Sequence, residues 1–341
     1  MKSKNIVFVK ANHAELLTEE VRMPDKGEIL VKLYVSSISS GTERAILMGS
    51  KTTSWMVPEV KEAVFPRSSG YSSAGVIEKV GEGVTKFKEG DRVALWWSTH
   101  SQYLTISENN ACHIDDVSFE DAALFHIATF PLAAIRKCRL EIGESAIVMG
   151  MGILGIFATT LLKAAGAVPV IAVDPDPAKR EKALECGADY ALDPYAPDFA
   201  ETAKKLTNGG ANVGIEVTGI GAGLDGILDC MALKGRVALL GCTRNSDFTI
   251  DYYRKVHGPG VTLVGAHTMA RPDYESSNGW WTLEDDMAAL KKLTENGRIK
   301  LSAIIDETHS PYEASDVYNR LVNDKTFPIV QFDWREFDEE N

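Results

Sequence analysis

The stretch Ser145–Asp174, SAIVMGMGILGIFATTLLKAAGAVPVIAVD, constrains the fold more than any other part of the chain. A short apolar run, Ala146–Met149, leads straight into Gly150-Met151-Gly152-Ile153-Leu154-Gly155, after which apolar residues recur at helical spacing as far as Gly166. Val168–Val173 returns as a buried strand, and Asp174 stands at its end, 19 residues beyond Gly155. A glycine pattern alone marks no more than a tight turn. Strand, turn, helix, second strand and terminal acid in that order predict a dinucleotide-binding βαβ unit. Gly150 allows the turn, Gly152 lets the backbone approach a pyrophosphate, and Gly155 lets helix and strand pack closely, while the helix N-terminus offers unpaired N–H groups to the phosphates. A carboxylate at Asp174 accepts hydrogen bonds from an adenosine ribose and repels a 2′-phosphate, so the expected cofactor is NAD rather than NADP.

The rest of the composition sets outer limits. With 341 residues the chain is long enough for two domains, and its 45% hydrophobic and 25% charged residues are those of an ordinary globular protein. A formal net charge of -12 with no run of Lys or Arg disfavours nucleic acid as a partner. No run of about eighteen apolar residues occurs, and the N-terminal apolar run is too short for a signal peptide, so the expectation is a cytoplasmic protein without a membrane partner. The five cysteines, Cys112, Cys138, Cys186, Cys230 and Cys242, are scattered as reduced thiols are, and no CxxC or Cys/His cluster has the spacing of a structural zinc site.

Upstream of the glycine turn, Ile6–Lys10, Glu28–Val35, Ser73–Val80, Arg92–Leu95 and Gln102–Ile106 read as strands between turns, predicting a small β-barrel. The segment 51–67, with Trp55, reads as a loop or short helix, and Phe119–Leu140 as one helix capped by Ser118. Downstream, helices and strands alternate, as a doubly wound parallel sheet requires. The helices are Ala178–Cys186, Phe199–Leu206 and Gly223–Leu233; the strands are Asp189–Leu192, Val213–Thr218, Arg236–Leu240 and Val261–Ala266. An amphipathic helix, Leu283–Asn296, then Ala303–Ile305, a helix near Tyr312–Asn323 and a strand Ile329–Asp333 close the chain.

Taken together, these motifs resemble the medium-chain dehydrogenase/reductase superfamily over essentially the whole length. The matching stretches are 24–31 (PDKGEILV), Ser40-Gly41-Thr42-Glu43, 70–76 (GYSSAGV), 80–84 (VGEGV), Gly90-Asp91-Arg92-Val93 and the GxGxxG stretch. The resemblance implies an α/β protein with a GroES-like β-barrel catalytic domain at 1–140 and 272–341 and a Rossmann NAD-binding domain, a doubly wound parallel sheet, at 141–271. Zinc-dependent members carry Cys-Gly-Thr/Ser-Asp where this chain has Ser40-Gly41-Thr42-Glu43, and Gly-His-Glu where it has Gly70-Tyr71-Ser72. Two hydroxyls and a phenol thus replace a thiolate, an imidazole and a carboxylate, and none of them binds zinc strongly when neutral. No metal is expected. The Ser-Gly-Thr-Glu group of the superfamily is similar in sequence to bacteriochlorophyllide, sugar and cyclitol dehydrogenases.

Hydride transfer to or from a carbonyl without a Lewis acid still needs a group to exchange the hydroxyl proton. His126 and Tyr71 are the candidates, assisted by Thr42 and Glu43; a histidine packed at a helix start and a tyrosine filling the vacated pocket are the bland readings of the same residues. A facing Glu43 and Tyr71 would make a carboxylate–phenol pair. The resemblance also implies cofactor contacts from Gly150, Gly152, Ile153, Leu154, Gly155, Asp174, Lys179, Thr218, Gly241, Cys242, Ala266 and His267. Ser40, Trp55, Trp96 and Trp97, with Tyr103 beyond them, are placed around a small-molecule substrate, and Trp280 and Trp281 form a second aromatic element. The function expected is an NAD-dependent, zinc-independent oxidoreductase acting on a secondary alcohol or ketone. An enone or quinone reductase and a non-catalytic NAD-binding relative are the rivals. The sheet edge near Val261–Ala266 commonly pairs subunits in this superfamily, implying a homodimer or homotetramer.

Overall fold

The computed structural model describes residues 1–51, 62–244, 246–324 and 326–338. Trp55 lies outside the described residues. The chain forms two compact units, Met1–Ile127 with Lys291–Asn341, and Ala128–Leu290. Both junctions fall inside helices, Phe125–Lys137 and Leu283–Glu295.

In the second unit six strands form one sheet in the order Tyr190–Leu192, Val170–Val173, Ala146–Met149, Ala211–Glu216, Met231–Leu239, Thr262–Gly265. Every pairing is parallel. The chain starts at the centre, winds outward on one side and then on the other, so the order reverses beside Ala146–Met149. Ligands of open α/β sheets bind at such a reversal, beyond the carboxyl ends of the strands. Ala146–Met149 and Val170–Val173 are buried at every position, which is why they read as unbroken apolar runs rather than as an alternation. Helix Pro177–Glu185 starts where Asp176 accepts a hydrogen bond from the Ala178 N–H (2.9 Å) and proline supplies a preset φ at the first position.

The first unit is an all-β core with helices at its margins. Glu28–Ser37 and Ser72–Val80 are its central antiparallel pair, extended through Arg92–Trp96 to Ala111–His113 on one side and through Val330–Asp333 to Glu307–His309 on the other. Phe8, Leu33, Leu95, Tyr318, Phe332 and Trp334 fill the interior.

Four local readings of the sequence change, one of them the helix expected over Gly223–Leu233, which runs over Gly221–Asp229 and gives way to the strand Met231–Leu239. His13–Glu20 is a strand whose mostly polar, half-exposed residues carry no alternation strong enough to announce it. Ser40–Leu47 is a helix, so the Ser-Gly-Thr-Glu motif is its first turn. The helix expected over Phe119–Leu140 breaks into Phe119–Ala122 and Phe125–Lys137. At the break the Ala123 carbonyl accepts a hydrogen bond from the Ser72 hydroxyl at 2.6 Å, a tertiary contact invisible to helical periodicity.

Candidate functional site

The dinucleotide furniture is built largely from backbone. Gly150 has φ +100°, and a Cβ at Gly155 would lie 1.8 Å from the Gly150 carbonyl oxygen, so the close approach of helix and turn demands glycine there. A Cβ at Gly152 would meet nothing within 4 Å, and Gly152 caps helix Ile153–Ala164 without any side-chain hydrogen bond. Open space therefore stands beside uncapped N–H groups, as an incoming pyrophosphate requires. Asp174 is 7% exposed. Its carboxylate accepts from the Met151 N–H (2.8 Å) and the Asp176 N–H (2.9 Å), tying the glycine turn to the end of the second strand. Each carboxylate oxygen keeps a further lone pair for a ribose hydroxyl. Lys179, half-buried nearby in sequence, has no acceptor among the described residues.

One residue of this region escapes sequence reasoning. Glu216, 2% exposed at the end of Ala211–Glu216, accepts from the Thr218 N–H (2.8 Å), the Gly219 N–H (3.1 Å) and the Thr218 hydroxyl. Its backbone carbonyl takes the Gly241 N–H at 2.9 Å. Burial pushes its carboxyl above the usual range, against those donors. Glu216 thereby holds Thr218 and Gly241-Cys242 together, and a Cβ on Gly150 would touch the Thr218 methyl at 2.8 Å, so these expected contacts do gather at the glycine turn. The only signal was an acid inside the run Val213-Gly214-Ile215-Glu216-Val217. Ala266 is buried. His267 Nδ1 accepts from the Met269 N–H (3.1 Å), and burial, with the positive Lys137, lowers its pKa.

The first unit holds the remaining candidates. Glu43 is fully buried in the turn that opens Ser40–Leu47, and one of its oxygens reaches back to the Ser39 N–H at 2.7 Å, in the manner of a capping box. The other accepts from Ser69 Oγ (3.0 Å), His100 Nε2 (3.1 Å) and the Tyr318 hydroxyl. His100 Nδ1 lies 2.7 Å from Ser36 Oγ, which accepts from Trp334 Nε1 (2.9 Å). Burial alone would raise the Glu43 carboxyl, but His100, Tyr318 and the Ser39 N–H outweigh it and hold it below the usual carboxylate range. Tyr71 does not face Glu43. Its hydroxyl donates to Ser39 Oγ, and the Ser39 N–H in turn donates to Glu43. His100 and Tyr318 lie 57 and 275 residues from Glu43, and no local pattern pointed to either.

His126 is also fully buried, with Nδ1 2.6 Å from the Tyr71 carbonyl oxygen. That carbonyl can only accept, so Nδ1 carries the proton and Nε2 is the basic nitrogen of the neutral ring. The imidazole packs edge-on against Trp97 (4.5 Å between centroids) and Tyr71 (5.4 Å). Trp97 is 43% exposed with φ +57°, whereas Trp96 is 5% exposed, so only the second of the adjacent tryptophans turns outward beside His126. Thr42 is half-buried and its hydroxyl has no partner among the described residues. Tyr103 lies apart, under Lys32. Trp280 and Trp281 belong to the other unit, where Lys137 and Arg136 stack on them.

Among the described residues no three His, Cys, Asp or Glu side chains gather as a metal site, and no helix is long and apolar enough to cross a membrane. Residues 25–169 match the alcohol dehydrogenase GroES-like domain, and residues 154–280 the zinc-binding dehydrogenase domain. The chain is 27% identical to L-threonine 3-dehydrogenase of Pyrococcus horikoshii, over 93% of this chain and 94% of that one. It is 23% identical to D-guloside 3-dehydrogenase of Escherichia coli, over 94% and 96%. The crystal structure of 2R,3R-butanediol dehydrogenase from Bacillus subtilis superposes with a TM-score of 0.82 at 21% identity, covering 97% of this chain and 99% of that one. The chain belongs to the zinc-type medium-chain alcohol dehydrogenase superfamily, a family of nicotinamide-dependent oxidoreductases.

Proposed function

We propose that the protein is an NAD-dependent dehydrogenase of a secondary alcohol on a sugar-like substrate, working without zinc, with residues 141–271 as its cofactor domain. The observation that carries this reading is the fully buried His126 imidazole, held at Nδ1 by the Tyr71 carbonyl so that Nε2 is its basic nitrogen. The donor set beside it does not fit zinc. Glu43 spends both oxygens on four donors, Ser72 gives its hydroxyl to the Ala123 carbonyl, and the Tyr71 phenol is engaged with Ser39. No thiolate stands among them. Preference for NAD rests on Asp174, whose nearly buried carboxylate repels a 2′-phosphate. The sugar-like substrate rests on a relative named for a guloside.

Bound NAD supplies the hydride acceptor; the chain's residues handle the proton. His126 takes the hydroxyl proton at Nε2 while Nδ1–H stays on the Tyr71 carbonyl, which fixes the ring and supports the imidazolium that forms. Thr42 offers its hydroxyl to the substrate oxygen, Trp97 walls the imidazole, and the Tyr71 phenol, anchored on Ser39, holds the carbonyl that orients His126. The test is a screen of sugars and cyclitols with NAD, and of enones with NADH, on protein of measured metal content. His126→Ala should lower kcat about 10²- to 10⁴-fold with little change in NADH affinity. Full turnover by that variant, stoichiometric zinc, or activity on enones alone would each overturn the reading.

A further inference from the structure

Lys137 ends helix Phe125–Lys137 and is 7% exposed, and its Nζ is buried with no hydrogen-bond partner. The ammonium lies over the Trp280 ring, 4.9 Å from the centroid, a contact that offsets only part of the cost of burying a charge. The surroundings are already too positive. Asp286, fully buried on helix Leu283–Glu295, receives Arg136 (2.8 Å) and Arg271 (3.3 Å), so both of its oxygens are taken. Burial pushes that carboxyl up even with two guanidiniums on it, which deepens the excess. The other groups around Lys137 are Cys138, a buried thiol pushed up to about 12, and His267. Three basic side chains thus share a single carboxylate.

The Lys137 ammonium is not the sole unpartnered polar group here. Thr268, whose backbone carbonyl takes Arg271 Nε at 2.8 Å, has a buried hydroxyl without a partner. Beside these groups is a cavity of about 490 Å³ lined by Lys137, Cys138, Arg139 and Trp280 and by the carboxylates Glu141 and Glu144, all within the Rossmann unit. Arg236 is committed to Glu144 (2.9 and 2.5 Å) and to the Cys138 carbonyl (2.8 Å). Arg139, at φ +49°, has no side-chain acceptor among the described residues.

Glu144 is spent on Arg236, so what Lys137 itself lacks is a negative charge carrying acceptor oxygens at Nζ, an amine that has shed its water. We propose that Lys137 is a carbamylation site, adding dissolved carbon dioxide at Nζ to form a lysine carbamate. The Nζ lone pair attacks the carbon, an N–C bond forms, one C=O π pair becomes the carboxylate charge, and the proton lost from nitrogen passes to water; nothing is oxidised or reduced. Burial, with the charge of Arg271, lowers the Lys137 pKa to about 8, so the neutral amine the reaction needs is present near neutral pH. As an ammonium, Lys137 leaves the group with Arg136, Arg271 and Asp286 two positive charges in excess; as a carbamate it leaves none. Carbon dioxide is small and apolar enough to cross the cavity that Lys137 and Trp280 line.

The inference does not depend on the proposed reaction and is tested without substrate. The whole protein, equilibrated with ¹³C-bicarbonate at pH 8 to 8.5, should give a carbamate ¹³C resonance. Alkylative trapping followed by peptide mapping should place the adduct on Lys137. Lys137→Arg and Lys137→Met should lose the resonance, and trapping on the unmodified chain settles the matter should either variant fail to fold. Replacing a cation by an anion should also raise the His267 midpoint when bicarbonate is added. Absence of the resonance at saturating bicarbonate, its survival in Lys137→Met, mapping to another lysine, or freely exchanging bicarbonate as the sole bound species would each overturn the proposal.

Discussion

The two units solve the same problem, holding polar groups in place inside a fold, by opposite means. In the Rossmann unit the proposed cofactor groove is shaped by backbone: glycines that leave room, an uncapped helix start, and Asp174 and Glu216 bonded to main-chain N–H groups. In the all-β unit the region where relatives place zinc ligands is held by side chains, with Glu43 drawing together Ser69, His100 and Tyr318 from distant segments. A backbone site is sensitive to added atoms. A side-chain site is sensitive to lost ones.

The contrast breaks most directly at Glu43. Glu43→Gln should cost about 3–5 kcal/mol in chemical denaturation, because it removes the buried charge and turns one of two acceptor oxygens, which together serve four donors, into an NH2 donor. A loss under about 1 kcal/mol would mean that the network is decoration. The carboxyl is held below its unfolded value, so its contribution is present above about pH 4.5 and is lost as pH falls through the folded pKa. The acid limb of the stability curve should therefore flatten in Glu43→Gln.

In the other unit the matching experiment adds a methyl. Gly155→Ala drives a Cβ into the Gly150 carbonyl oxygen and should cost about 1–3 kcal/mol in stability and abolish saturable NADH fluorescence binding. Normal binding would show that the turn can yield. Asp174→Ala should weaken NAD about tenfold, on the order of 1.4 kcal/mol, while NADP changes less, as read by paired titrations; an unchanged NAD/NADP ratio would remove Asp174 from cofactor choice.

The smallest expected effect comes from Lys137. Its pKa of about 8 against 10.5 means that protonation opposes folding. The penalty is complete below pH 8 and fades as pH rises toward 10.5. In buffer free of carbon dioxide, Lys137→Met should gain on the order of 1 kcal/mol at pH 7 and lose that gain toward pH 10.5.

How much of this was legible follows the same division. Ala146–Met149, the glycine turn and Asp174 could be read because a βαβ unit is local: its strands are short apolar runs, its turn needs glycine, and its acid falls at a set distance. The strand His13–Glu20 was not legible, because half-exposed polar residues adopt strand geometry there through pairing with Lys2–Lys10 rather than through their own pattern. Glu43 could be picked out as a motif residue, yet its partners could not.

The chain by itself therefore determined the doubly wound sheet, the glycine turn at its centre and the loss of the usual zinc-ligand residue types, since each is set by residues close together in sequence or by residue identity alone. Tertiary structure decided that Glu43 serves His100 and Tyr318 rather than Tyr71, that Ser72 breaks a helix to reach Ala123, and that Lys137 is buried without an acceptor. Hydrogen bonds reach only about 3 Å, and which groups come that close across 57 or 275 residues is settled when the sheets pack, not by the order of side chains along the chain.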